Sequence, residues 1–116
     1  MIISVTIQDA LGTAPGVEVK VRLDPGVNFT WVPRAVAEQL GLMVLARRKF
    51  RQRNGTVVER DLASAIVGYE GTRAGITIGL AEDGDSQVLG AIALLTLGLT
   101  YDPRKDELKG LGPLRA

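Results

Sequence analysis

A domain built mostly of strands, with two short helices set among them, is encoded in three patterns of this chain. Val17, Val19, Val21 and Leu23 alternate with Glu18, Lys20 and Arg22, the period of a strand with one buried face. Short apolar runs recur along the chain, divided by turn clusters of Gly, Pro, Asn and Asp. Only Ala35–Leu40 and Ala91–Leu97 read as helix, and glycine follows closely in both cases, at Gly41 and Gly98. At 116 residues the chain makes one domain, residues 1–116, with one modest core.

Taken in order, Ile3, Val5 and Ile7 alternate with Ser4, Thr6 and Gln8, a half-buried first strand. Leu11–Gly16 is a turn cluster that leads into the strand Val17–Leu23. Asp24-Pro25-Gly26 follows, then a β-branched and aromatic stretch, Val27–Pro33. Pro33 suits the first position of a helix, where its missing N–H would be an orphan anyway. Asn54-Gly55 predicts a type I′ hairpin between Met43–Arg53 and Thr56–Leu62. Ala65–Gly68 and Gly75–Leu80 read as two further strands, and Asp83-Gly84 as a turn. Val88-Leu89-Gly90 opens the second helix, and Leu99–Tyr101 and Glu107-Leu108 flank a last turn at Asp102-Pro103-Arg104. Strand, glycine turn, helix and Leu-Gly-Leu occur twice, ending at Leu40-Gly41-Leu42 and at Leu97-Gly98-Leu99.

Composition narrows the chemistry. With no His and no Cys, Ser-His triads, Cys-His dyads and His- or Cys-ligated zinc are excluded within this chain. Acid–base work falls to Asp, Glu, Lys and Tyr, and no metal or cofactor is expected. Lys+Arg 14 against Asp+Glu 13 leaves +1, a balance that points to neither nucleic acid nor membrane. No stretch approaches the ~20 apolar residues of a membrane helix, so the expected location is the cytoplasm.

The segment Leu23-Asp24-Pro25-Gly26, followed by Val27–Pro33 and a helix, resembles the active-site segment of retropepsin-like (clan AA) aspartic proteases, worded Asp-Thr/Ser-Gly-Ala-x-x-Thr-x-Ile-Pro. The resemblance continues through the hairpin at Asn54-Gly55, the paired strands Ala65–Leu80, Val88-Leu89-Gly90, Leu97-Gly98-Leu99 and the closing Tyr101-Asp102-Pro103, which is similar to the microbial, non-viral branch. It implies a closed acid-protease barrel with two short helices, one lobe per chain. It also implies aspartic-type endopeptidase activity on a peptide or protein substrate, with Asp24 catalytic and Pro25 and Gly26 in the active-site turn. Val27, Asn28, Thr30, Trp31, Asn54, Gly55 and Val88 fall at substrate-binding positions of the family, and Asn54-Gly55 at its flap.

Such an enzyme needs two carboxylates sharing a proton. Asp24 is the one Asp-x-Gly in the required context, so the resemblance implies a homodimer pairing Asp24 with Asp24 across a twofold. Pro25 replaces the Thr or Ser whose hydroxyl and N–H knit the two turns together in the family, and proline supplies neither. The alternative reading is therefore a catalytically impaired dimerisation or peptide-binding module. Arg47, Arg48, Lys49, Arg51 and Arg53 form the one charge run, read as a solvated flap strand that would favour acidic peptides on closing. A nucleic-acid accessory role for that run is the weakest reading, because only Phe50 is interleaved for stacking.

Overall fold

Alternation builds the first hairpin. In the computed structural model, which describes residues 1–116, β1 (Ile2–Gln8) and β2 (Val17–Leu23) pair antiparallel with Val5 opposite Val19. Their inward positions Val5, Ile7, Val19, Val21 and Leu23 are buried, while Glu18, Lys20 and Arg22 stay exposed. Each such aliphatic side chain removed from water contributes about 1.5–3 kcal/mol.

The remaining elements are β3 (Thr30–Pro33), α1 (Arg34–Leu40), β4 (Val44–Arg51), β5 (Val57–Tyr69), β6 (Thr72–Ala81), β7 (Val88–Leu89), α2 (Ala91–Thr96), β8 (Leu99–Asp102) and β9 (Glu107–Gly110). Seven strands share one sheet in the order β1-β2-β7-β3-β6-β5-β4, and β1 also pairs with β5. β8 and β9 form a separate hairpin. Two pairings are parallel, β2 with β7 and β3 with β6, so chain segments distant in sequence lie side by side. The core gathers Ile7, Val32, Val67, Ile78, Leu80 and Leu89, with Ala93 and Leu94 of α2 packed into it. No helix is long and apolar enough to cross a membrane.

Several local expectations shift. Pro33 closes β3 and caps α1 with extended ψ (139°), so the helix proper begins at Arg34. The strand after Asp24 is shorter than Val27–Pro33, because Val27, Asn28 and Phe29 lie in the loop ahead of β3. Thr56–Leu62 and Ala65–Gly68 are one continuous strand, β5. Adjacent Leu62 and Ala63 are both buried, which breaks the period-2 pattern where β5 passes from β4 towards β1. Val88-Leu89 is a short strand wedged between β2 and β3.

The turn at Asn54-Gly55 is not type I′, which requires positive φ at both central residues. Only Gly55 has it, at 87°. The Gly55 amide donates to the Gln52 carbonyl (2.9 Å) and the Gln52 amide to that of Thr56 (2.8 Å), a three-residue loop. The left-handed pair falls instead at Glu70 and Gly71, with φ of 45° and 84°, joining β5 to β6.

Candidate active site

The end of β2 delivers Asp24 into a turn fixed at three points. Its amide donates to the Leu89 carbonyl (3.0 Å), and its carbonyl accepts from Val27 N–H (3.2 Å). Pro25 occupies the second position of this turn, where its preset φ fits. The Gly26 amide donates to Asp24 Oδ1 at 3.1 Å, so one carboxylate oxygen is held by the turn itself. The other, Oδ2, has Arg22 Nη1 at 3.4 Å and Arg53 Nη2 at 3.9 Å. The Asp24 side chain is 16% exposed and lines a cleft of about 620 Å³.

The loop after the turn is stitched to the start of α2. Ala91 N–H donates to the Val27 carbonyl (2.7 Å) and Ile92 N–H to that of Asn28 (3.2 Å). Gly90 N–H donates to Thr30 Oγ1 at 3.0 Å, a buried bond between segments sixty residues apart. Position 90 admits only glycine here: a Cβ would stand 2.4–2.8 Å from the carbonyl oxygens of Phe29, Val27 and Asn28. Thr30 is 1% exposed, so its hydroxyl braces the loop from inside the fold.

The β4–β5 hairpin forms the opposite wall. Phe50 meets Trp31 edge to face at 4.8 Å between ring centroids and Phe29 at 5.9 Å, closing one side of the cleft with aromatic surface. Of the sequence-predicted site residues, Asp24, Val27, Asn28, Trp31, Asn54 and Val88 all line this one cleft. Val88 is at once core, being 3% exposed. Pro25 and Gly26 shape the exposed turn, and Gly55 shapes the hairpin tip, where Asn54 Oδ1 accepts from Thr56 N–H at 2.9 Å.

Sequence reasoning missed Arg22, Gln52, Arg60 and Asp85. Arg60 binds Asp85 in a two-pronged pair (2.7 and 3.0 Å), Gln52 Nε2 adds a bond at 3.2 Å, and Asp85 Oδ2 accepts from the Glu82 amide at 2.9 Å. The Arg60 guanidinium holds the Asp85 carboxyl below the usual carboxylate range against the opposing effect of burial. Asp61 is lowered in the same way, first by Arg34 and then by Arg47. Arg22 was legible as the outward residue two before Asp24. The Arg60–Asp85 pair spans 25 residues and leaves no local signal.

No group of three or more carboxylates is placed to hold a metal ion. No protein-family model matches the chain, and no curated protein sequence matches it.

Proposed function

We propose that this chain is an aspartic-type endopeptidase acting as a twofold homodimer, each subunit a retropepsin-like barrel that contributes one Asp24. The observation that carries this reading is the Asp24 turn: a carboxylate with a rigid backbone, one oxygen held by Gly26 and the other free of any bond shorter than 3.4 Å, at the floor of a peptide-sized cleft. Asp85, the other carboxylate of the cleft, is committed to Arg60 and leaves the second catalytic position to a second copy. Barrel closure is supported by the β1–β5 pairing, which joins β1 to the far side of the strand order. A partner surface is supported by Ile92 and Leu95, exposed at 42% and 57% on the helix that holds the Val27–Asn28 loop.

In that dimer the two carboxylates share one proton. The ionised one takes a proton from water as its oxygen attacks the peptide carbonyl carbon, and the protonated one donates to the carbonyl oxygen. Collapse of the tetrahedral intermediate breaks the C–N bond with a proton delivered to the leaving amine. An extended peptide lies between this floor and the hairpin.

Pro25 favours a second reading, a peptide-binding dimer without turnover, because it removes a donor and a hydroxyl from the turn. Sedimentation and peptide cleavage separate the readings. A dimer that cleaves at acid pH and is blocked by a statine-type mimic supports the enzyme. A dimer that binds the mimic without cleaving any peptide supports the second reading, and a monomer at high concentration sinks both.

A further inference from the structure

The five basic residues of the charge run Arg47–Arg53 do not act as one strip. Arg47 is engaged by Glu59 (3.2 Å) and Asp61 (3.1 Å), and Arg48 and Lys49 do not line the cleft. Those that do are Arg51 and Arg53, joined by Arg22 from β2 and Arg60 from β5. Four arginines therefore face two aspartates, Asp24 and Asp85, in the cleft, a surplus of two positive charges in a chain whose whole net charge is +1. Arg60 and Asp85 neutralise each other, so the surplus resides on Arg22, Arg51 and Arg53. Arg51 is turned to the carbonyl of Gly55 (3.0 Å), whereas Arg22 and Arg53 flank the reactive carboxylate.

Resting on the peptidase reading above, we infer that the substrates are acidic peptides, with Asp or Glu next to the cleaved bond and Arg22 and Arg53 as the specificity-determining residues. Their guanidinium groups are 46% and 90% exposed at the side chain and meet only Asp24 Oδ2, at 3.4 and 3.9 Å, so an incoming carboxylate gains charge-assisted hydrogen bonds at small desolvation cost. The same exchange draws both arginines away from Asp24 Oδ2, leaving that oxygen for water. A neutral peptide provides no such exchange. The aromatic rings of the cleft pack edge to face on one another rather than standing as free platforms for bases, which favours peptide over single-stranded nucleic acid.

The test pairs peptides carrying Glu at the positions flanking the cleaved bond with otherwise identical Gln peptides. Binding is read by fluorescence anisotropy in the Asp24→Asn dimer, and turnover in the unaltered protein. Glu peptides are expected to bind more tightly, with the preference shrinking at high salt. Arg22→Gln and Arg53→Gln should each narrow the Glu-to-Gln ratio by about two- to fivefold, the range of an exposed ion pair. Arg53→Glu, at an exposed tip where folding is not at stake, should reverse it. Equal binding of Glu and Gln peptides overturns the inference, even where both are cleaved. Tighter binding of a labelled oligonucleotide than of the Glu peptide also overturns it. Arginine-dependent preference with no turnover of any peptide keeps the specificity and removes the peptidase reading instead.

Discussion

Two aspartate turns face the same cleft and use the same chemistry for different ends. At Asp83-Gly84-Asp85 the carboxylate is spent: Arg60 grips both oxygens of Asp85, Gln52 adds a third bond and the Glu82 amide a fourth. At Asp24-Pro25-Gly26 the backbone is equally fixed, yet the carboxylate has one short bond, from Gly26, and its nearest cation stands at 3.4 Å. Side-chain exposure hardly separates them, at 13% for Asp85 and 16% for Asp24. Partnering does. A carboxylate whose lone pairs are filled holds structure together, and one with an oxygen to spare is available for chemistry.

The largest expected effect comes from exchanging the roles. Asp24→Asn keeps the acceptor for Gly26 and removes only the charge, so cleavage should be abolished while the unfolding midpoint barely moves. Asp85→Asn should do the reverse. Loss of its charged bonds to Arg60 should cost about 2 kcal/mol, the scale of charge-assisted hydrogen bonds, with cleavage retained by the folded fraction. Peptide assays alongside urea titrations check both. Equal stability losses at the two sites would erase the distinction.

Acid sharpens the contrast further. The folded-state pKa values of Asp61 and Asp85 lie below the ordinary 3.8. Their stabilisation is therefore complete above that value and is lost as pH falls through the folded values. If the proposed peptidase is active in acid, the acid limb of its activity profile should coincide with unfolding below about pH 4. Circular dichroism across that range is the check, and Asp85→Asn should make the unfolding less steep in pH.

Much of this was readable in the chain. The alternation of Val17–Leu23 carries Asp24 to a strand end, whereas Thr30, expected at a substrate-binding position, is buried outside the cleft lining and braces the loop through the Gly90 amide instead. What stayed hidden depends on distance or on a break in period. Nothing near Asp85 announces Arg60, and adjacent buried Leu62 and Ala63 make a bent long strand read as two short ones. At Asn54-Gly55 the favoured dipeptide was right for a turn, but three residues close the loop instead of two.

A smaller effect is expected in the hairpin. Gln52, beside the tip, and Arg60, further along β5, are tied to Asp85, while Asn54 and Gly55 rest on local bonds and Arg53 adds only its 3.9 Å approach to Asp24. Hydrogen exchange should be fast at Arg53 and Asn54, slow at Ala63–Val67, and slower at the tip with a bound peptide mimic. Asp85→Asn should spread fast exchange from the tip towards Arg60. Strong protection of the tip without ligand would mark the hairpin as a fixed wall.

The smallest change tests the Asp24 turn itself. Pro25 is exposed and sits at a turn position compatible with its ring, so Pro25→Thr should destabilise an isolated subunit by only about 0.4–1 kcal/mol, through a freer unfolded chain. In a dimer the same substitution returns a hydroxyl and an N–H to each turn. About four recovered hydrogen bonds, at roughly 0.5–1.5 kcal/mol each, outweigh that loss and should tighten the dimer by a few kcal/mol. Sedimentation at falling concentration reads the tightening, and peptide cleavage reads its consequence. Higher turnover would identify Pro25 as a brake on a working site. A tighter dimer without cleavage would mean that the available oxygen of Asp24 serves binding, and an unchanged dimer constant would remove the turns from the interface.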